Sequence, residues 1–94
     1  MTTFKYLNNG AKAIVSIIDR YTWNIDIIES TISSKGYASK LINRIKKDAL
    51  SKGIKRISLL SSIYNSEYFE VYHNFSKVGE VYDGILMEYN LKIC

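Results

Sequence analysis

Residues 33–42 read Ser33-Ser34-Lys35-Gly36-Tyr37-Ala38-Ser39-Lys40-Leu41-Ile42. On their N-terminal side, Trp23–Thr31 (WNIDIIEST) is rich in β-branched residues and reads as a strand. On their C-terminal side the period changes. Ala38, Leu41, Ile42, Ile45, Ala49 and Leu50 recur at the spacing of one helix face, with Lys40, Arg44, Lys46 and Lys47 off the stripe, and Lys46-Lys47 and Lys55-Arg56 read as solvated faces. Gly53 is a helix stop, and Ile54–Ser61 (IKRISLLS) resumes strand character at once. Strand, small-residue turn, helix, strand is a βαβ unit, whose crossover makes the two strands parallel.

Working outward, Phe4–Leu7 and Ala11–Asp19 read as strands joined through Asn8-Asn9-Gly10, and Arg20-Tyr21-Thr22 is a tight connection into the third strand. Tyr68, Phe69, Tyr72 and Phe75 recur at helical spacing, giving a helix from about Ser66 to Asn74. Lys77–Tyr82 and Ile85–Leu91 close the chain as strands around an Asp83-Gly84 turn. The expected order is β-β-β-α-β-α-β-β, an α+β fold with a mixed sheet, and residues 1–94 form one domain.

Composition excludes several classes. No stretch holds the run of about 18 apolar residues that a membrane span needs, and the first ten residues carry no apolar signal core. The single cysteine, Cys94, cannot form an internal disulfide, which fits a reducing cytoplasm, and it lies in no motif that would make it a nucleophile. His73 is the only histidine, so no Cys/His cluster and no metal site is expected; it reads as a surface or capping residue. The net charge of +4 gives a modest attraction for anions. Nucleic acid is the weaker candidate, because acids intersperse the basic residues and no aromatic RNA-binding strand motif occurs.

The quoted turn can hold phosphate. The first turn of a helix has N–H groups without intrahelical partners and carries the positive end of the helix dipole. Gly36 and Ala38 leave room for an anion to reach the backbone, Ser33, Ser34 and Ser39 add hydroxyls, and Lys35 and Lys40 add charge. The plainer alternative is a serine-capped helix start. No Walker GK[ST] and no G-x-G-x-x-G occurs.

Ser33-x-x-Gly36-x-Ala38-Ser39-x-Leu41-Ile42 resembles the acetyl-CoA pyrophosphate motif of the GCN5-related N-acetyltransferases, Gln/Arg-x-x-Gly-x-Gly/Ala followed by small-x-Leu-Leu/Ile. The order of elements over Ala11–Leu91 is similar to that family, Asn65 and Tyr72 resemble its Asn…Tyr pair, and Asp83-Gly84-Ile85-Leu86-Met87 resembles its last strand. Ser33 replaces the long polar residue, Tyr72-His73-Asn74-Phe75 shortens the usual Tyr-x-x-x-Gly-Phe, and the family's first strand and first two helices have no counterpart. In size and layout the chain resembles the small phage anti-CRISPR acetyltransferases.

The resemblance implies an N-acetyltransferase using acetyl-CoA and no metal. Pantetheine would pair with the backbone of Ile28, Glu29 and Ser30, and the pyrophosphate would sit on Ser34, Lys35, Gly36, Tyr37, Ala38 and Ser39 beside Ser33. Lys35, Lys40 and Arg44 would face the phosphates or the adenosine, with Asn65 also at the cofactor. Tyr72 would protonate the leaving thiolate, with Tyr68 as a rival, and Glu29 would take a proton from the attacking amine. The implied acceptor is a protein lysine or amino terminus, with a homodimer as one way to close the open face. Tyr72 as core and Glu29 as a solvent-face residue remain the structural alternatives. A catalytically inactive protein-binding module is the rival for the whole chain.

Overall fold

The computed structural model describes residues 2–8, 10–30, 36–63 and 65–91. Its elements are β1 (Thr3–Asn8), β2 (Ala11–Asp19), β3 (Thr22–Ser30), α1 (Tyr37–Ser51), β4 (Arg56–Ser61), α2 (Ser66–His73), β5 (Ser76–Val81) and β6 (Gly84–Asn90), in the order the sequence predicts. The strands form one sheet in the order β1-β2-β3-β4-β6-β5. Among the described residues only β3 and β4 run parallel, joined by α1 as a crossover.

The first three strands form a meander because their connections are as short as a hairpin allows. Asn8 pairs with Ala11 and Asp19 with Thr22. Gly10 takes φ 97° in the first turn, where a side chain would be strained. In the second, the Asp19 carboxylate accepts the Tyr21 N–H at 2.8 Å, the backbone-mimicking role Asp favours in turns.

α1 buries Leu41, Ile42, Ile45 and Ala49 against the meander. Leu50, expected on that stripe, is 43% exposed. At 3.6 residues per turn it lies about 100° round the helix from Ala49, beyond the edge of the buried face. The helix ends on Gly53 at φ 78°, where Ile54 N–H reaches the Ala49 carbonyl at 3.0 Å. Lys46 is not a freely solvated residue. Its ammonium lies 3.8 Å from the centre of the Tyr89 ring and donates to the His73 carbonyl, and this burial lowers its pKa.

α2 buries Ser66, Phe69 and His73, a spacing of three and then four. It stops one residue earlier than the sequence predicts. Asn74 enters the left-handed region at φ 61°, and Phe75 N–H closes on the Phe69 carbonyl at 3.1 Å. Asn tolerates that conformation, so the helix ends cleanly where the sequence offers no glycine. The last hairpin turns on Tyr82-Asp83, with Gly84 already paired to Val81. Gly84 is needed for another reason: a Cβ there would sit 2.7 Å from the Ser61 carbonyl of β4.

The core lies between the sheet and the two helices. Val15, Leu41, Ile42, Ile45, Ile57, Phe75 and Met87 are its largest fully buried side chains. Trp23 is 2% exposed and meets the Phe4 ring edge-on at 4.8 Å, so it packs at the start of β3.

A candidate cofactor cleft between parting strands

β3 and β4 pair through only four positions, from Thr22↔Arg56 to Ile25↔Leu59. The cause is local. On the β2 side, Ile14 faces Ile27 while Val15 faces Ile25, so Asp26 is an extra residue in β3. Such a bulge bends its strand and increases its twist. Asp26 is held by polar contacts: Ser16 Oγ donates to its Oδ2, and Asn24 Nδ2 donates to its Oδ1 at 2.6 Å. Asn24 is tied in turn to β4, where Ser58 Oγ donates to its Oδ1 at 2.8 Å. From Asp26 onward β3 keeps its partner β2 and leaves β4, so one edge of its backbone opens onto a cleft.

Two connected spaces fill that cleft. The smaller one, about 240 Å³, lies between Ile25–Ile28 and Leu59–Ser62. The wider one, about 470 Å³, is lined by Ile28, Glu29, Gly36, Ala38, Ser39, Ile42, Asn65, Tyr68 and Phe69. Ile28, Asn65 and Phe69 line both. The result is a slot with mixed apolar and polar walls and a strand edge along one side, leading to a helix start.

Among the described residues no side chain caps that helix start. Gly36 sits at φ 69° with no cap bond, no acidic residue occupies the first turn, and the first ladder bond runs from Lys40 N–H to the Gly36 carbonyl at 3.1 Å. The N–H groups of residues 37–39 therefore precede the ladder. A Cβ at Gly36 would meet nothing within 4 Å among the described residues. An anion of pyrophosphate shape fits these features.

The far wall carries a hydrogen-bonded trio. Tyr68 Oη lies 2.7 Å from Ser39 Oγ and 3.0 Å from His73 Nε2, and Ser39 Oγ is 3.3 Å from the same nitrogen. His73 is 3% exposed, not at the surface as its position in a polar stretch suggested. Burial first, and then the nearby Lys46 ammonium, lower its pKa to about 4, so the ring is neutral at physiological pH.

Of the residues predicted from sequence, Ile28, Glu29, Gly36, Ala38, Ser39 and Asn65 come together around the cleft. Ser33, Ser34 and Lys35 lie outside the described residues. Ser30 ends β3 opposite Ala11. Tyr37 is half-buried against the core, with the Lys40 ammonium 5.7 Å from its ring centre. Arg44 is engaged away from the helix start, over the Tyr6 ring at 5.5 Å. Glu29 pairs with Lys12 across β2 and β3 at 3.1 Å. Tyr72 is 73% exposed and does not line the cleft; its ring is 5.7 Å from that of Tyr68, which does. The two tyrosines are one turn apart on the same face of α2, so position along the helix axis separates them: Tyr68 meets Ser39 of α1 at the cleft, and Tyr72 lies one turn further on. His73 was legible as part of that stripe, four residues after Phe69, although its polarity argued for the surface.

No family model matches the chain, and no curated protein matches it. Solved structures do. The anti-CRISPR protein AcrVA5 superposes with a TM-score of 0.78 at 24% identity, over 95% of this chain and 99% of that one. Tetrahymena GCN5 gives 0.78 at 16% identity, over 96% of this chain and 68% of that one. The PaiA N-acetyltransferase of Thermoplasma acidophilum, solved in complex with coenzyme A, gives 0.72 at 19% identity, over 85% of this chain and 52% of that one. This chain thus spans about half of the PaiA chain and two thirds of GCN5, and nearly all of AcrVA5. It has the fold of the GCN5-related N-acetyltransferases. Among the described residues no helix is long and apolar enough to cross a membrane, and no cluster of metal-ligating side chains occurs.

Proposed function

We propose that the chain transfers an acetyl group from acetyl-CoA to an amine, with a protein lysine or amino terminus as acceptor. The observation that carries this reading is the divergence of β3 from β4 after Ile25↔Leu59, which opens a backbone edge leading to the start of α1 at Gly36. Pantetheine, an extended chain with two amides, suits that edge as an added strand. Its pyrophosphate suits the N–H groups of residues 37–39. Coenzyme A in the PaiA structure supports this choice of ligand.

In this reading the acetyl thioester lies between Glu29 and Tyr68, both on the cleft wall. The amine attacks the carbonyl carbon directly, and the carbon–sulfur bond breaks with its electron pair passing to sulfur. The Tyr68 hydroxyl protonates the sulfur, a role its place in the cleft favours over that of Tyr72. Glu29, reached through water, takes the proton of the attacking amine, for which its ion pair with Lys12 must open. The likeness to the anti-CRISPR protein AcrVA5 supports a role in inactivating a host factor, for which a protein acceptor in the cytoplasm is our reading. A second copy closing the acceptor side is part of the same proposal.

Calorimetric titration with acetyl-CoA tests the cleft, and mass spectrometry of acetylated peptides and proteins tests turnover. Micromolar binding with transfer supports the reading. Binding without transfer supports an inactive binding module, and no binding by the folded protein overturns both uses of the cleft.

A further inference from the structure

We infer that His73 is a positioning residue for Tyr68: its neutral imidazole donates the Nε2 proton to the Tyr68 oxygen and stabilises the phenolate left when that hydroxyl protonates the departing thiolate. The inference rests on the proposed acetyl transfer and assigns that reaction a residue beyond the cleft wall.

The tautomer follows from the surroundings of the ring. Nδ1 is buried and has no hydrogen-bond partner among the described residues. A proton on Nδ1 would be an orphaned buried donor, which folded proteins avoid more strictly than an unsatisfied acceptor. The proton therefore belongs on Nε2, which faces Tyr68 Oη at 3.0 Å and Ser39 Oγ at 3.3 Å. Tyr68 Oη then accepts from His73 and keeps its own proton to give, in the resting protein to Ser39 Oγ at 2.7 Å. An imidazolium would supply the same donor only by burying a charge beside the Lys46 ammonium, and the depressed pKa of His73 keeps that form away at neutral pH.

The proton and electron count closes. As the amine nitrogen bonds to the acetyl carbon, the carbon–sulfur pair moves to sulfur, and the Tyr68 proton moves with it to make the free thiol. The phenolate oxygen then holds negative charge at the centre of two donors, His73 Nε2–H and a rotated Ser39 O–H. It regains a proton from water once the thiol has left, and the proton of the attacking amine leaves by way of Glu29. Donors fixed before the reaction stabilise charge that develops only in the transition state, so they act on turnover more than on binding. Packing fixes the ring: it sits 5.0 Å from the Tyr68 ring and 6.5 Å from Phe69, on the buried face of α2.

The test is a double-mutant cycle on the full chain with acetyl-CoA and an acceptor peptide identified by mass spectrometry. His73→Phe is expected to lower kcat by about 100-fold, the scale of losing one such donor, with the Kd for acetyl-CoA changed by less than about twofold. His73→Gln, whose amide can reach the same oxygen, should recover to within about tenfold of the wild type, and it serves if the phenylalanine variant does not fold. In a Tyr68→Phe background the His73 substitutions should cost less than about twofold more. Equal losses in both backgrounds overturn the inference and leave His73 a packing residue, while the proposed transfer stands. A wild type that binds acetyl-CoA but transfers nothing, or a Tyr68→Phe variant with full kcat, overturns the proposed roles themselves. Because the chain has one histidine, its ring nitrogen shifts in NMR report the tautomer directly. A proton on Nδ1 in the folded protein overturns the inference independently of any activity.

Discussion

Thr22–Ile25 and Asp26–Ser30 belong to one strand and meet different fates. The first half is paired on both sides, to β2 and to β4, and carries the buried Trp23 and Ile25. The second half keeps β2 and loses β4, and its residues line a cleft. One inserted residue, Asp26, separates them. A half-strand with both edges satisfied builds the core, whereas one with a free edge can offer its amides to a ligand. The difference lies in pairing more than in composition, because both halves mix polar residues with isoleucine or tryptophan.

The comparison breaks most readily at the ligand end. Gly36→Glu puts a carboxylate over the start of α1 and forces a side chain into φ 69°. Acetyl-CoA affinity by calorimetry should fall more than about 100-fold, roughly 3 kcal/mol or more, while the backbone strain costs only about 1–2 kcal/mol of stability and the protein stays folded. A variant that still binds tightly would remove the helix start from the site. In the doubly paired half, Trp23→Ala should cost about 3–5 kcal/mol of stability in denaturant titration, the usual range for a buried Trp. A cost below about 1 kcal/mol would mean that the edge-on contact with Phe4 and the pocket around it collapse to fill the gap.

A third prediction uses pH. His73 titrates near 4 in the folded chain, against the ordinary histidine value of about 6.5 when unfolded. Between these values the unfolded chain binds the extra proton, so stability rises with pH there. The folded state should therefore lose on the order of 2 kcal/mol from this residue as pH falls from about 6.5 to about 4. Urea titrations of wild type and His73→Gln at both pH values isolate the effect, and parallel losses would show that His73 does not supply it. The smallest effect belongs to the Lys12–Glu29 pair. Both side chains are well exposed, at 40% and 61%, so Lys12→Met should change stability by less than about 1 kcal/mol. If Glu29 accepts a proton in turnover, the same substitution should alter the pH profile of kcat while leaving the melt in place.

The elements themselves could be read in the chain because each announces itself locally. Ala11–Asp19 and Trp23–Thr31 carry β-branched residues, α1 changes the period from two to 3.6, and Gly53 stops it. The errors fall where two readings share one local signal. Leu50 continues a list of apolar residues but not the arc they occupy. Asp83-Gly84 has the composition of a hairpin turn, yet Gly84 serves a close approach to Ser61 while Tyr82-Asp83 makes the turn. Tyr68 and Tyr72 are the same residue type on the same helix face, and only what each meets along the axis of α2, Ser39 for Tyr68 and solvent for Tyr72, distinguishes them.

By itself, then, the chain determined which segments are strands and helices, their order, and the small-residue start of α1, because propensity, period and turn chemistry act over a few residues. The tertiary structure decided where β3 leaves β4, which tyrosine enters the cleft, and that the lone histidine lies beneath it. Those outcomes depend on registers between strands and on side chains tens of residues apart, such as Ser39 with Tyr68 and Ser58 with Asn24, whose meeting no local pattern encodes.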